Sequence, residues 1–307
     1  MSDRIETTLA QHATDYRLLE ELHGVPPYRV VRVSLEGRDA VLKVDDHPRG
    51  HAAAEGRVQA YVDSHTTAAV PAVFAVGEDY YITAWHDAFA SASETVDTTW
   101  ARATGIWLGT LHGEAAGKFE QYGTPRDGGD GLDVVGHDEW ADALLDRVEH
   151  HRSFLDAHGF AGVADAVAEC IRANRDQLRD AGPPVLCHGD VHPEHHVRDE
   201  TAGVLGIDFE HALVAPAAYD YWRTIVPYFE ANEGVGSAEI EAFREGYTSV
   251  RDLPTNLQQR RPYYAVLNPV AFLESLFLQQ TTPPERREKM AAWLERTALE
   301  AVRELLS

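Results

Sequence analysis

The chain has 307 residues and a formal net charge of −23, with 50 acidic against 27 basic residues. Because contacts to phosphate backbones require Lys and Arg, this acidic excess argues against nucleic acid as a partner. No apolar run reaches the ~18–20 residues that span a bilayer, and the N-terminus lacks a secretory pattern, so we expect neither a membrane partner nor export. The two cysteines, Cys170 and Cys187, exclude a disulfide framework and fit a reducing, cytoplasmic location.

Residues 28–44 are predicted to form a β-hairpin. Apolar and polar residues alternate from Val31 to Leu35, residues 36–39 turn the chain, and an apolar strand returns. That strand contains Lys43, one of only three lysines in the chain. A lysine among apolar neighbours in so lysine-poor a protein is a candidate functional residue.

The remaining elements are predicted from apolar periodicity and from clusters of turn residues. They are a helix over 51–62, strands over 72–76 and 80–84, a polar connection over 85–97, a helix over 98–114, a mobile surface loop over 121–136, helices over 137–157 and 161–181, and three or four more helices after the segment that carries the candidate catalytic residues, the last over 288–305.

Two of these helices carry more specific expectations. In the helix over 98–114, Gly105 and Gly109 are expected to allow close packing, and Ile106, Leu108 and Leu111 to be buried. In the last helix, the apolar stripe from Met290 to Leu305 is expected to pack against the core.

Residues 185–211 carry the most informative pattern. A short apolar run ends in His188-Gly189-Asp190, and a second run, residues 204–207, ends in Asp208-Phe209. Two buried strands that are each followed by a carboxylate would bring the two carboxylates together, where they can bind a metal ion and phosphate. The offsets match the kinase pattern H-R-D-x-x-x-x-N followed by D-F-G, with His195 at the Asn position.

This composite, together with Val-Leu-Lys-Val around Lys43, resembles the aminoglycoside phosphotransferase and choline kinase-like family of small-molecule kinases. The resemblance is tight over 185–223, looser over 28–113, and does not extend over 224–307. It implies an α+β, bilobal protein-kinase-like fold, with a small antiparallel-sheet N-lobe over residues 1–86 and a mainly helical C-lobe over 87–307. It also implies phosphorylation of a small-molecule hydroxyl with ATP, or possible use of GTP, and with Mg²⁺ or Mn²⁺.

The resemblance assigns a role to each candidate residue. Asp190 is the expected catalytic base, and Lys43, paired with Glu55, is expected to bind the nucleotide phosphates. Asp208 and His195 are the expected metal ligands.

Three further features concern the neighbourhood of these residues. Glu210 is a candidate for the metal or the substrate, and Asp220 for support of the catalytic loop. The segment 22–28 contains one glycine where a Gly-rich loop would stand.

Several alternatives stay open. The two aspartates could merely end strands as turn residues. His195 in place of the Asn of the kinase pattern, and the single glycine in the segment 22–28, would also be consistent with a sensor that binds nucleotide without turnover. The four histidines His188, His192, His195 and His196 could suggest a zinc hydrolase, although their spacing is a poor zinc signature. The acidic charge is interpreted as a solvated surface adapted to high salt, with attraction of a cationic substrate as the alternative.

Overall fold

The computed structural model describes residues 2–91, 95–128 and 131–307. Of the connection predicted over 85–97, residues 92–94 lie outside the described residues, as do residues 129–130 of the loop predicted over 121–136. The described part confirms the predicted fold class: an antiparallel sheet at the N-terminal end is followed by a mainly helical region.

The N-terminal region is built on a five-stranded sheet in which neighbouring strands run antiparallel, in the order β1-β2-β3-β5-β4. Its elements are α1 (Ser2–His12), β1 (Tyr16–His23), β2 (Tyr28–Leu35), β3 (Arg38–Asp45), α2 (Ala52–His65), β4 (Val73–Val76) and β5 (Tyr80–Ala84). The predicted hairpin, helix and two strands are confirmed. No element was predicted before residue 28, so α1 and β1 are additions.

Helix α2 packs against the sheet on one side and against the helical region on the other. On one side, a Cβ on Gly56 would lie 2.4 Å from the Cβ of Tyr81 in β5, so only glycine permits this close approach of helix and sheet. On the other side, Val58 and Val62 belong to the large apolar core of the helical region. The sheet has a separate core, with Val33, Leu42 and Ile82 among its members. Helix α2 therefore fixes the sheet relative to the helical region.

The second region contains nine helices and six strands among the described residues. The helices are α3 (Thr98–Glu114), α4 (Trp140–Leu155), α5 (Ala161–Ala173), α6 (Arg175–Leu178), α7 (Ala217–Ile225), α8 (Ser237–Thr248), α9 (Leu257–Ala265), α10 (Asn268–Gln279) and α11 (Pro284–Leu306). The strands are β6 (Tyr122–Asp127), β7 (Leu132–His137), β8 (Pro184–Cys187), β9 (His196–Asp199), β10 (Gly203–Gly206) and β11 (Leu213–Pro216).

The loop predicted over 121–136 is wrong, because β6 and β7 form a hairpin there. Gly123 faces Gly136 across the ladder. A Cβ on either residue would lie 2.3 Å from a backbone oxygen of the opposite strand. The glycines that suggested a flexible loop instead allow two strands to approach closely. Through β6 the hairpin extends the sheet β7-β6-β11-β8.

Helix α3 begins and ends where it was predicted, with Asp97 as its N-cap. Its glycines make the expected close contacts: a Cβ on Gly105 would lie 2.1 Å from the carbonyl oxygen of Phe243 in α8. Ile106, however, is exposed rather than buried. It follows Gly105 along the chain, and one step of about 100° around a helix separates the two positions.

Two other expectations about helices are corrected. The helix predicted over 161–181 ends at Ala173 and is followed by the short α6. After α7, which carries Asp220, four helices, α8–α11, follow, in agreement with the three or four expected. In α11 the buried stripe is Ala291, Leu294, Ala298 and Val302, whereas Met290 and Trp293 are exposed. None of the helices that the structure describes has both the length and the apolar character required to cross a membrane.

Candidate active site

The loop after β8 holds Asp190 in a conformation that depends on Gly189. Gly189 has a φ of +83°, and a Cβ there would lie 2.3 Å from the carbonyl oxygen of His211. Asp220 accepts hydrogen bonds from the backbone N–H of His188 (2.7 Å) and of Gly189 (2.9 Å). These contacts agree with the supporting role expected of Asp220.

The Asp190 carboxylate is buried and engaged on both oxygens. Tyr228 donates its hydroxyl hydrogen to Oδ1. The ring nitrogens of His192 and His195 lie 3.5 and 3.3 Å from Oδ2. Burial would raise the pKa of Asp190, but the hydrogen bonds from these two histidines hold it well below its usual value. Asp190 is therefore ionised at neutral pH and able to accept a hydrogen bond.

The second carboxylate, Asp208, follows β10 with a φ of +70°, an uncommon conformation for a residue other than glycine. Its Oδ1 accepts from Lys43 Nζ at 2.8 Å, and its Oδ2 lies 3.0 Å from Nε2 of His195. Burial would raise the pKa of Asp208, but the positive charges of Lys43 and His195 hold it well below its usual value.

Lys43 projects from β3 to connect α2 with Asp208. Its Nζ lies 2.6 Å from Glu55 Oε2, and the two side chains are only 7% and 0% exposed. Tyr81 donates to the other oxygen of Glu55 at 2.7 Å. Burial raises the pKa of Glu55 to about 7 against the opposing effect of Lys43. The Lys43 pKa stays well above its usual value, because Asp208 and Glu55 outweigh burial.

His195 connects the two aspartates. Burial would lower its pKa, but the charges of Asp208 and Asp190 raise it well above the usual imidazole value. The 3.0 Å between His195 Nε2 and Asp208 Oδ2 is the distance of a hydrogen bond from the protonated imidazole. The two side chains would hold a divalent cation only after the imidazole releases its proton.

The four histidines of the segment 188–196 do not form one site. His192 and His195 can approach a single ion with Asp190, since their ligand atoms lie within 4.8 Å of one another. His188 instead bonds the carbonyl oxygen of Ile207 at 2.9 Å. His196 is buried with its ring centroid 4.5 Å from that of Trp107. Two of the four histidines are thus structural, which weakens the zinc interpretation.

All five predicted site residues, Lys43, Glu55, Asp190, His195 and Asp208, lie in one connected network. The network faces a cleft of about 560 Å³ between the sheet and the helical region. The cleft has apolar walls that include Val30, Val41, Ile207 and Phe272. Glu210 also lines it, and burial followed by the negative charge of Asp208 raises its pKa to about 8.

Sequence reasoning missed two residues that contact the catalytic loop. Tyr228 lies in a π-helical turn, Val226–Glu230, directly after α7. Arg223 donates from Nε to the carbonyl oxygen of Gly189 at 2.8 Å. π-Helical turns are frequent at functional sites, but the turn has no local sequence pattern that would have identified Tyr228.

Solved structures that share this fold at low sequence identity include the following three. A thermostable variant of aminoglycoside phosphotransferase APH(4)-Ia, in a ternary complex with AMP-PNP and hygromycin B, has a TM-score of 0.63 and 16% identity, with 97% of each chain covered. Macrolide 2'-phosphotransferase MphH from Brachybacterium faecium has 0.56 and 19%, over 95% of this chain and 97% of that one. A microcompartment-associated aminopropanol kinase has 0.63 and 16%, over 99% and 97%.

The comparison with curated proteins gives no significant match. A family model, in contrast, matches residues 28–263, and its description is the phosphotransferase enzyme family. The match includes all five predicted site residues and most of the helical region. It agrees with the protein-kinase-like fold that the three solved structures share with this chain. The chain belongs to the phosphotransferase enzyme family.

Proposed function

We propose that the protein transfers the γ-phosphoryl group of ATP to a hydroxyl group of a small molecule. The observation that carries this proposal is the unbroken series of contacts Glu55–Lys43–Asp208–His195–Asp190. Phosphoryl transfer requires a cation at the phosphates, a metal site and an acceptor-orienting carboxylate at one place. We place the nucleotide-binding half at residues 1–86 and the acceptor-binding half at residues 87–307.

Lys43 would hold the α- and β-phosphates, with its position fixed by Glu55. Both side chains are almost completely buried, so the ion pair is rigid and the ammonium needs little reordering when phosphate arrives. The neighbour crystallised with AMP-PNP supports the use of a nucleoside triphosphate. Comparing ATP with GTP in the assay below identifies the preferred nucleotide.

Asp208 and His195 would hold a divalent cation, Mg²⁺ or Mn²⁺. When bound, the cation neutralises charge on the β- and γ-phosphate oxygens. The imidazole supplies nitrogen where an amide oxygen is the common ligand, and Mn²⁺ accepts nitrogen more readily than Mg²⁺. Lys43 already contacts Asp208, which would bring the ammonium and the cation to the same side of the phosphates.

Asp190 would orient the acceptor hydroxyl and take its proton. The hydroxyl oxygen forms a bond to the γ-phosphorus, the bond from that phosphorus to the β–γ bridging oxygen breaks, and the hydroxyl proton passes to Asp190. Tyr228 occupies Oδ1 of Asp190, and His192 and His195 lie against Oδ2, so the acceptor must replace one of these contacts. The tyrosine also keeps the carboxylate in one rotamer for the incoming hydroxyl.

Asp190→Asn tests this assignment. The variant should lose about 10²–10⁴-fold in acceptor-stimulated ATP consumption, because the general base is removed. Its thermal stabilisation by AMP-PNP should be retained. Asp165→Asn, which changes a carboxylate paired with Arg152 on the surface, is the matched control. Turnover of Asp190→Asn within a few-fold of wild type would mean that Asp190 is not the base.

Lys43→Ala tests the nucleotide half of the proposal. The variant should lose nucleotide affinity and turnover together, since the phosphates lose their point charge. The matched control is Lys289→Ala, which removes a surface lysine paired with Glu285. If Lys43→Ala binds AMP-PNP and turns over like wild type, the phosphate-binding role of Lys43 is wrong.

A second candidate function is nucleotide binding without substantial turnover. It is favoured by the three groups, Tyr228, His192 and His195, that already engage Asp190. A sensor of this kind would be stabilised by AMP-PNP but would not consume ATP with any acceptor. A panel of sugars, amino alcohols, nucleosides and antibiotics, screened for acceptor-stimulated ATP loss, separates the two functions.

A further inference from the structure

A second cavity of about 240 Å³ adjoins the cleft. It lies between the start of α2, the β6–β7 hairpin, α4 and α10, and shares Glu210, His211 and Ser275 with the cleft wall. Basic side chains are concentrated in it, and we call it the basic cavity. These side chains include Arg49, Arg126, Arg147, His51, His150 and His211.

The carboxyl groups in the wall of the basic cavity already have basic partners. Glu55 contacts Lys43 at 2.6 Å, Asp146 contacts His137 at 2.6 Å, Glu210 contacts His211 at 3.3 Å, and Glu274 contacts Arg49 at 2.6 Å. None of these carboxylates forms an ion pair with Arg126 or Arg147.

Arg147 in α4 lines the basic cavity together with Arg49 and Arg126. Its guanidinium donates to Nδ1 of His211 at 3.5 Å. No carboxylate in the described ranges lies within 4.0 Å of the guanidinium of Arg147, and the same holds for Arg126 in β6. A guanidinium stays charged and offers a planar pair of donors that matches a carboxylate or a phosphate. In a protein with a net charge of −23, two such groups facing one cavity are unusual.

The neighbouring histidines respond to this positive charge. Burial and then the charge of Arg49 lower the pKa of His150 to about 3. The pKa of His211 is also lowered to about 3, by burial and by Arg147 and Arg223, against the opposing charge of Asp190. Both imidazoles are therefore neutral at neutral pH, and the positive charge in the wall of the basic cavity comes from Arg49, Arg126 and Arg147.

The basic cavity is connected to the catalytic loop through His211. The His211 carbonyl oxygen packs where a side chain on Gly189 would stand, and its ring contacts Arg147 on the other side. A ligand that fills the mouth of the basic cavity is thus separated from the loop that carries Asp190 by a single residue. A small molecule with two functional groups would then have one group beside Arg147 and the other beside Asp190.

We propose that the basic cavity binds an anionic group of the phosphate acceptor, a carboxylate or a phosphate ester, with Arg147 as the principal specificity-determining residue. This inference rests on the proposed function, because it assumes that the hydroxyl of the same molecule reaches Asp190. Arg126, which is exposed in β6, adds a second positive charge to the lining of the basic cavity. The predicted acceptor class is small hydroxylated anions, in contrast to the cationic substrate that the acidic surface alone would favour.

Four probes with one six-carbon skeleton test the inference: gluconate, glucose 6-phosphate, glucose and glucosamine. Their binding is measured by isothermal titration calorimetry on the full chain with saturating AMP-PNP and Mn²⁺, so that phosphate cannot occupy the nucleotide site. We expect one or both anions to bind more tightly than glucose and glucosamine. Gluconate alone would assign a carboxylate, and glucose 6-phosphate alone a phosphate ester.

The variants identify the residue responsible. Arg147→Gln should weaken binding of the anion by about tenfold or more, the value of one charge-assisted contact, and Arg147→Lys should recover part of the loss. Arg152→Gln is the matched control, because Arg152 lies on the same helix and pairs with Asp165 on the surface. Glucose binding should not respond to Arg147→Gln.

Three results would overturn the inference: equal or tighter binding of glucose or glucosamine, no binding of either anion, or unchanged anion affinity in Arg147→Gln. None of them affects the proposed phosphotransfer, which is judged separately by the Asp190→Asn assay with any acceptor that stimulates ATP loss. Conversely, anion binding through Arg147 without any acceptor-stimulated ATP loss would retain the site and reject the proposed function.

Discussion

Asp220→Asn should destabilise the protein and displace the catalytic loop. Asp220 is fully buried and receives three hydrogen bonds, from the backbone N–H groups of His188 and Gly189 and from Nε2 of His112 at 3.1 Å. Burial would raise the pKa of Asp220, but the hydrogen bond and charge of His112 hold it below its usual value. The carboxylate form is therefore the form that the fold requires.

The magnitude follows from these contacts. Asparagine keeps one acceptor oxygen and turns an NH₂ group toward N–H donors that have no other partner. Loss of a hydrogen bond to a charged group costs about 1.5–3 kcal/mol, and an orphaned buried N–H costs a further 1–3 kcal/mol or so. We expect a loss of about 3–5 kcal/mol and, at roughly 2 °C per kcal/mol for a chain of this size, a decrease in Tm of about 6–10 °C.

Urea denaturation and acceptor-stimulated ATP consumption measure the two effects. Misplacement of the loop should lower kcat by about 10²-fold, whereas stabilisation by AMP-PNP should survive at a temperature where the variant is folded. Asp97→Asn is the matched control. Asp97 also accepts two backbone N–H bonds, from Thr99 and Trp100, but it does so at an exposed helix N-cap.

Asparagine is nearly as good an N-cap as aspartate, and the surface pair of Asp97 with Arg198 is worth at most about 1 kcal/mol. The control should therefore lose no more than about 1 kcal/mol. If the free energies of unfolding of Asp220→Asn and Asp97→Asn agree within about 0.5 kcal/mol, the role given to the buried carboxylate is refuted.

Three further predictions concern the metal, a helix contact and salt. His195→Asn should retain activity and prefer Mg²⁺, while His195→Ala should lose most activity; full activity of His195→Ala with an unchanged metal profile refutes the ligand role. In α3, Gly105→Ala should lower the free energy of unfolding by about 1–3 kcal/mol. The control Gly113→Ala, with no atom within 4 Å of its Cβ, should be neutral or stabilising by up to ~1 kcal/mol. Equal Tm values for the two variants would contradict the close contact assigned to Gly105. Tm should rise from low to molar KCl, because the Debye length falls from ~10 to ~3 Å and salt then screens the repulsion among acidic residues. A Tm that stays flat or falls would instead favour the interpretation that the acidic residues attract a cationic substrate.

The predicted part of the site came from short-range patterns. Lys43, Asp190 and Asp208 could be identified because each stands in or directly after an apolar run that must be a buried strand. The resemblance to the kinase lysine strand then assigned Lys43 to the same site as Asp208, and these two residues, 165 positions apart in the sequence, do contact each other. The same resemblance assigned Glu55, in the helix after β3, as the partner of Lys43.

Long-range packing decided what the sequence could not predict. Whether His188 or His195 turns toward the cleft depends on Trp107 and Ile207, which belong to other segments. Tyr228 reaches Asp190 only because a π-helical turn follows α7. The β6–β7 hairpin was missed because its glycines have two opposite uses, as flexible loop residues and as sites of close strand approach. Periodicity does not distinguish these uses.

The surface and the interior of this protein must respond differently to salt. Repulsion among exposed acids acts over distances comparable to the Debye length, so salt screens it effectively. The Lys43–Glu55 pair is 7% and 0% exposed, and ions that cannot enter screen such a pair only weakly. Arg147 lies between these extremes, because the basic cavity that it lines is open to the cleft. A protein of this charge can therefore gain stability from salt while the buried Lys43–Glu55 contact persists, and recognition of an anion as proposed would come from the local charges of Arg147 and Arg126 rather than from the field of the whole molecule.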